Sequence, residues 1–330
     1  MKLKLKLKLK TLAAMLLATA GLVNGTAFAQ TFPDKPVRIV VPFTAGGLAD
    51  VLARGLANEL SKTWPQPVVV DNRPGANTII AAELTARSPA DGYTLLLAND
   101  PTVSSNQYLY NKLPYDPVKD FTPVINIAAT QEVLVVSDAF KGRTVADLIA
   151  QARARPGQIT YGSYGPGSKA HLDAEDFSHL AGVKLNHIPY KGVADVMGAL
   201  TSGQIDMAFS GMPPSITMVK GGKVRALAIA APQRSKLLPD VPTTAEAGIA
   251  NFESSAWFGL IAPAATPKAV VDKIAADVAR VIARPDFQEK YITGVGLVLL
   301  NQGPQPFADF LVKDRAAYAK SVKNVNVKLD

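Results

Sequence analysis

The chain contains no cysteine and only three histidines, His171, His179 and His187. The first absence excludes disulfides, thiolate catalysis and cysteine-ligated zinc, so an exported form must fold on packing alone. The second leaves little for a metal: His171 and His179 share a helical pattern but stand two turns apart, a poor spacing for coordination. Catalytic signatures are missing too. There is no G-x-S-x-G elbow, because Tyr161 holds the first glycine position of the stretch Gly162-Ser163-Tyr164-Gly165. Neither a G-x-x-x-x-G-K-[ST] phosphate loop nor H-E-x-x-H occurs. These absences argue against an enzyme, and neither cofactor nor metal is expected.

The N-terminus reads as a leader. Lys2, Lys4, Lys6, Lys8 and Lys10 precede a short apolar run over residues 12–23, and Ala27-Phe28-Ala29 is an A-x-A cleavage signal. Residues 1–29 are therefore expected to be a signal peptide, with Gln30 opening the mature chain. The alternative, an uncleaved anchor, is disfavoured because the run is short for a membrane span. No cysteine follows it to carry a lipid. Loss of the five lysines takes the net charge from +8 to +3. So mild a balance does not argue for nucleic acid. No later segment is long and apolar enough to span a bilayer, and a soluble protein outside the cytoplasm is expected.

The mature length suggests two domains. Strand and helix patterns alternate almost throughout, which predicts an α/β fold with mainly parallel sheets. Residues 37–41, 67–70 and 93–98 read as strands separated by helices, one β-α-β-α-β run. Residues 100–117 are irregular. Residues 124–128 and 132–136 read as two strands suited to crossing between domains. A second alternation follows, with strands at 159–161, 185–189, 205–209 and 224–230. A long strand at 255–262 returns the chain to the first domain, and helices close the sequence.

Two glycine-rich loops stand out. Pro42-Phe43-Thr44-Ala45-Gly46-Gly47-Leu48-Ala49-Asp50 carries the first strand into a helix. Tyr161-Gly162-Ser163-Tyr164-Gly165-Pro166-Gly167-Ser168 does the same later. A strand ending in a Gly-Gly turn at a helix start presents unpaired N–H groups at the positive end of the helix dipole, which suits an anion. The plainer reading of Gly46-Gly47 is a tight turn. Asp50 either complements the dipole, accepts a hydrogen bond from a ligand, or orders the loop. Asn99 and Asp100 end a strand, where ligands bind in open α/β sheets, but Asn-Asp is also a common turn former. Ser104 and Ser105 lie in the same loop. Tyr161, Ser163, Ser168 and His171 surround the second glycine loop; Ser168 doubles as a helix N-cap and His171 as a structural histidine. Tyr190 and Lys191 follow a strand end. Asp206 falls inside a strand pattern, where it reads as an internal acceptor.

Seven segments in order carry a family resemblance: the first glycine loop, Asp71-Asn72-Arg73-Pro74-Gly75-Ala76, Asp91-Gly92-Tyr93-Thr94-Leu95-Leu96, Tyr161-Gly162-Ser163-Tyr164-Gly165, His187-Ile188-Pro189-Tyr190-Lys191-Gly192, Leu238-Pro239-Asp240-Val241-Pro242-Thr243 and Trp257-Phe258-Gly259-Leu260-Ile261-Ala262-Pro263. The chain resembles the Bug family, the TctC-like periplasmic receptors of tripartite tricarboxylate transporters. The resemblance implies a two-lobed periplasmic binding protein of type II-like form, with crossing strands and a central ligand cleft. Residues 30–129 plus 255–330 would form lobe 1 and residues 130–254 lobe 2.

The resemblance also implies a small carboxylate bound in the cleft through backbone groups and waters. Carried over, the ligand set is Phe43, Ala45, Gly46, Gly47 and Asp50 on one side and Ser163, Gly165 and Ser168 on the other, with Tyr190 and Asp206 nearby. The loops themselves add Thr44, Asn99, Ser104, Tyr161 and His171 as candidate ligand-binding residues. The implied partners are membrane permease subunits, or a sensor kinase for a co-sensing member, and the implied state is a periplasmic monomer. Leu48, residues 77–80 and residues 99–106 depart from the family pattern.

Overall fold

The computed structural model describes residues 32–325 and Leu329. The expected leader, residues 1–29, lies outside the described residues, as does Gln30. Residues 32–34 form no regular element.

Among the described residues, ten strands make the framework. β1 (Val37–Val41), β2 (Val68–Asn72) and β3 (Thr94–Ala98) lie in the order β2-β1-β3, all parallel. Between them run α1 (Leu48–Thr63) and α2 (Ile79–Ala86). After β3, a π-helical turn (Pro101–Ser105) leads into the short α3 (Asn106–Leu109). β4 (Phe121–Ser137) then crosses to the second half, which holds α4 (Val145–Ala154), β5 (Thr160–Ser163), α5 (Lys169–Ala181), β6 (Asn186–Pro189), α6 (Val193–Thr201), β7 (Met207–Gly211), α7 (Met212–Lys220) and β8 (Val224–Ile229). β9 (Ser255–Pro263) brings the chain back. α8 (Lys268–Ile282), α9 (Pro285–Tyr291), β10 (Leu297–Gln302) and α10 (Pro304–Val325) complete it.

The expected pair of strands at 124–128 and 132–136 is one 17-residue strand. Ala129, Thr130 and Gln131 stay extended because β9 pairs with them on one side, through Trp257, Ala256 and Ser255, while β10 pairs with Ala129 and Thr130 on the other. One residue later the partner changes: Glu132 pairs with Gly211 of β7. At 3.3 Å per residue β4 runs about 55 Å. It therefore joins the two expected sheets into the order β2-β1-β3-β9-β4-β7-β5-β6, with β8 and β10 also on β4.

The sheets are mixed rather than mainly parallel. Parallel pairing is confined to β1-β2, β1-β3, β5-β6 and β5-β7, where helices make the crossovers. Every partner of β4 runs antiparallel to it.

Alternation along the strands places the core. Leu134 and Val136 of β4 face α4 and α5, joining Leu148, Ala152, Ala174 and Phe177. Val133 and Val135 face the opposite side, with Val196, Met197 and Leu200 of α6. In the first half Val40, Leu96 and Ala98 meet Ala81 and Ala82 of α2 and Phe307 and Leu311 of α10. The apolar stripe of α1 buries Leu52, Leu56 and Leu60, while Val51 is exposed. Phe209 is enclosed, its ring 5.9 Å from Phe177 and 5.4 Å from Phe252. Phe209→Ala is expected to lower stability by about 3–5 kcal/mol, measured by urea unfolding.

Candidate functional site

The first glycine loop leaves β1 at its C-terminal end. Thr44, Ala45, Gly46 and Gly47 are exposed and Phe43 is half-buried. Gly46 sits at φ +86°, a conformation that L side chains rarely adopt. Gly47 is the N-cap of α1, with no side chain capping the first turn. The opening amides of α1 thus lack the usual internal acceptor. The Gly46 amide is different: it donates to Asp50 Oδ2 at 2.9 Å.

Asp50 is buried under this loop. Arg54 Nε also donates to its Oδ2 at 2.9 Å, and Asn72 Nδ2 donates to its Oδ1 at 2.9 Å. Asn72 Nδ2 further reaches the Phe43 carbonyl at 3.0 Å. Both carboxylate oxygens are engaged, so Asp50 orders the loop from below. Burial works against its charge, but hydrogen bonds from Arg54, the Gly46 amide and Asn72 outweigh it and hold the carboxyl below its ordinary range.

The second loop is built differently. Tyr161, His187 and His171 form a stack, with ring centroids 4.9 Å apart for Tyr161–His187 and 4.0 Å for His171–His187. The parallel register of β5 on β6 puts Tyr161 beside His187. Ser163 Oγ lies 2.6 Å from His187 Nε2 and donates to the Gly165 carbonyl at 3.1 Å. The Gly167 amide donates to His171 Nδ1 at 3.0 Å. Tyr161 donates its hydroxyl proton to Glu175. His187 is a missed residue of this site; pairing the two strand patterns in parallel would have placed it next to Tyr161. Burial, then the neighbouring His187, lower the His171 pKa to about 4, and burial lowers that of His187.

The remaining expected residues scatter. Asn99 is buried at the end of β3, where its side chain and carbonyl accept from Thr102 at 3.0 and 3.1 Å and start the π-turn. Ser104 is buried within that turn. Ser168 caps α5 in the chain path, yet its hydroxyl makes no cap hydrogen bond. The Tyr190 amide donates to the Ser163 carbonyl at 2.8 Å, which keeps Tyr190 beside the loop. Asp206 does not belong with them. Its Oδ2 accepts from the Thr160 amide at 2.8 Å and from the Thr160 hydroxyl at 2.9 Å, tying together the starts of β5 and β7. Those starts lie a strand length, about 10 Å, from the glycine loop. Asp206 is an internal acceptor just before β7, at the strand end opposite to the glycine loop.

A buried charged group adjoins the second loop. Lys169, in the first turn of α5, donates to Asp173 Oδ1 at 2.5 Å and to the Ser254 hydroxyl, and Ser254 donates to Asp173 at 2.8 Å. The ammonium also lies 5.7 Å from the centroid of the Tyr318 ring, whose hydroxyl donates to Asp100 at 2.8 Å. This chain of contacts links α5 to α10 and to the end of β3. Gly167 makes the approach close: a Cβ there would stand 2.7 Å from Leu329 and 2.9 Å from Leu109.

Among the described residues, no three histidines, aspartates or glutamates are placed to hold a metal, and no helix is long and apolar enough to cross a membrane. Two surface hollows lie on either side of Pro117; they share no residue with the glycine loops.

Residues 52–327 match the family model described as tripartite tricarboxylate transporter family receptor, TctC. The chain belongs to this family. The TctC match takes in the second glycine loop and begins just after the first. Protein BugT of Bordetella pertussis is 39% identical over 266 residues, 80% of this chain and 81% of its own. Among solved structures, R. palustris Rpa4515 with adipate shares 35% identity at a TM-score of 0.83, covering 90% of this chain and 99% of that one. MatC (Rpa3494) from Rhodopseudomonas palustris with bound malate shares 30% at 0.79, covering 88% and 100%. The two-lobed periplasmic-binding-protein fold expected of the TctC family is the fold found.

The histidine stack gives a prediction with a definite sign. His171 titrates lower in the fold than its ordinary 6.5, so the neutral form is favoured and its contribution is lost as pH falls from about 6.5 towards about 4. Urea unfolding across that range should show a steeper loss for the parent protein than for His171→Asn, whose amide oxygen can still accept from Gly167.

Proposed function

We propose that the mature protein is a periplasmic receptor that captures a small carboxylate between its two glycine loops. The observation that carries this reading is the first loop: exposed Gly46 and Gly47, held from below by buried Asp50, open a helix whose first amides have no side-chain cap. Such a helix start is a ready anion site. Both loops leave the C-terminal ends of parallel strands, the end at which open α/β sheets bind ligands. The family membership and the carboxylates in the two R. palustris structures support the same ligand class.

The mechanism is capture without chemistry. One carboxylate takes the amides of the first loop, partly through water, which tolerates ligands of different length. Ser163, Gly165 and Ser168 supply contacts from the other lobe when the halves close. Closure requires that the ligand bind the closed form better than the open one. The loaded receptor then docks on the permease subunits of a tripartite tricarboxylate transporter, and the solute is handed over unaltered.

A thermal-shift screen of dicarboxylates tests the ligand class, because a ligand at 100 times its Kd adds about 2.7 kcal/mol of stability. At least one member of the succinate-to-adipate series is expected to raise Tm. Gly46→Val should then weaken calorimetric affinity tenfold or more, because valine is strained at positive φ and displaces the loop amides. Unchanged affinity in that variant would remove the first loop from the site.

A further inference from the structure

The buried charged group beside the second glycine loop joins both halves of the protein. Glu132 sits on β4 at the residue where the strand changes partners. Its backbone is fully used: the amide donates to the Ser254 carbonyl and the carbonyl accepts from Ala230 at 2.8 Å. Its side chain is 1% exposed, and Oε2 has no hydrogen-bond partner. Asp173 is 2% exposed, and its Oδ2 is likewise without a donor.

The surroundings of Glu132 are strongly unbalanced. From α5 come Lys169 and Asp173, with Asp176 behind the latter; from the end of β3 comes Asp100. From α10 come Asp314, with Arg315 beside it, and Tyr318. Tyr164 reaches in from the glycine loop. One buried ammonium therefore serves Asp100, Glu132 and Asp173, and its direct contacts go to Asp173 and Ser254. An ionised, buried carboxylate without a donor is expensive. A proton on the carboxyl removes the charge and supplies a donor.

We propose that Glu132 is the proton-carrying member of a latch between the two lobes, so that the closed arrangement takes up a proton as it forms. The inference rests on the reading of the chain as a receptor that closes, and it names a regulation of that same site. Burial first, then the charge of Asp173, push Glu132 up to about 8, and burial pushes Asp100 up to about 7. When α5 leaves α10 and the end of β3, water reaches these groups and they return towards ordinary carboxylate values. The acid is weaker in the closed form than in the open one. Closing therefore becomes more favourable as pH falls from about 8, by at most about tenfold per pH unit for each proton taken up. The gain levels off once the open form is also protonated.

Small-angle X-ray scattering of the ligand-free protein tests the latch without knowledge of the solute. The radius of gyration is expected to rise between about pH 6 and about pH 9 in the parent protein. In Glu132→Gln, a neutral shape-mimic, it should stay at the compact value above about pH 7.5. Asp173→Asn keeps Glu132 but removes its main like-charged neighbour, and should move the transition to lower pH. A pH-invariant parent, or an unmoved transition in either variant, overturns the proposal. Calorimetry with adipate adds a second readout: affinity should strengthen severalfold or more per pH unit on going from about pH 8 to about pH 6, and markedly less in Glu132→Gln. Adipate binding that is independent of pH in the parent counts against the latch. Absence of adipate binding at every pH counts against the proposed ligand class, and the scattering still decides the latch.

Discussion

The uninterrupted course of β4 is the constraint on which the rest of the structure depends. A strand of 17 residues is longer than any one sheet here requires. Its first part is held by β9 and β10 and its last part by β7 and β8. The backbone at the changeover is knotted by three hydrogen bonds: Glu132 to Ser254, Ser254 to Ala230, and Ala230 to Glu132. Each half therefore has its own core on a shared rail. The ends of the parallel strands in the two halves then stand on either side of one crossing point. The interlobe site proposed above relies on this arrangement of strands before any side chain is considered.

The two glycine loops solve one problem with opposite electrostatics. The first is ordered by charge: Asp50 is ionised, and Arg54, Asn72 and a loop amide converge on it. An anionic ligand above it would feel that charge, and the paired guanidinium of Arg54 offsets it. The second is ordered by neutral rings. Two histidines stacked at 4.0 Å cannot both be protonated at low cost, and His171 must keep Nδ1 unprotonated to accept from Gly167. The second loop therefore adds no fixed charge to the cleft. The buried charges beside this loop are those grouped around Lys169.

Local pattern reveals part of this and conceals part, for identifiable reasons. The β-α-β run over β1, β2 and β3 is legible because hydrophobic strands, amphipathic helices and turn residues alternate within short windows. Both glycine loops are legible because positive φ and helix starts demand recognisable residues. The unity of β4 is not, since residues 129–131 carry no strong strand signal and remain extended only because distant partners pair with them. Asp206 stands at the N-terminal end of its strand in the pattern as in the structure, so only the resemblance, and not the pattern, set it beside the glycine loop. The charged group is the least legible feature. Asp100, Glu132, Lys169, Asp173, Ser254 and Tyr318 are spread over about two thirds of the chain, and each reads alone as an ordinary surface residue.

The first half carries its own stiffening. After β2 the backbone passes through Gly75, Ala76, Asn77 and Thr78, all at positive φ. Three consecutive non-glycine residues there cost about 1–3 kcal/mol each unless their surroundings compel them. They are compelled: Asn77 and Asn106 exchange hydrogen bonds at 2.8 Å, and Thr102 meets Thr78 at 3.2 Å. Asn72 in turn fastens the first glycine loop through Asp50 and the Phe43 carbonyl. The loops after β1, β2 and β3 are thus one interlocked surface, set before a ligand arrives. The second half meets it through α5 and Gly167: the Lys169 ammonium lies over the Tyr318 ring, and Leu172 packs with Leu109, Tyr318 and Val322. Asp173, whose Oδ2 has no donor, lies at this same contact, so apolar packing there is combined with a charge that burial disfavours.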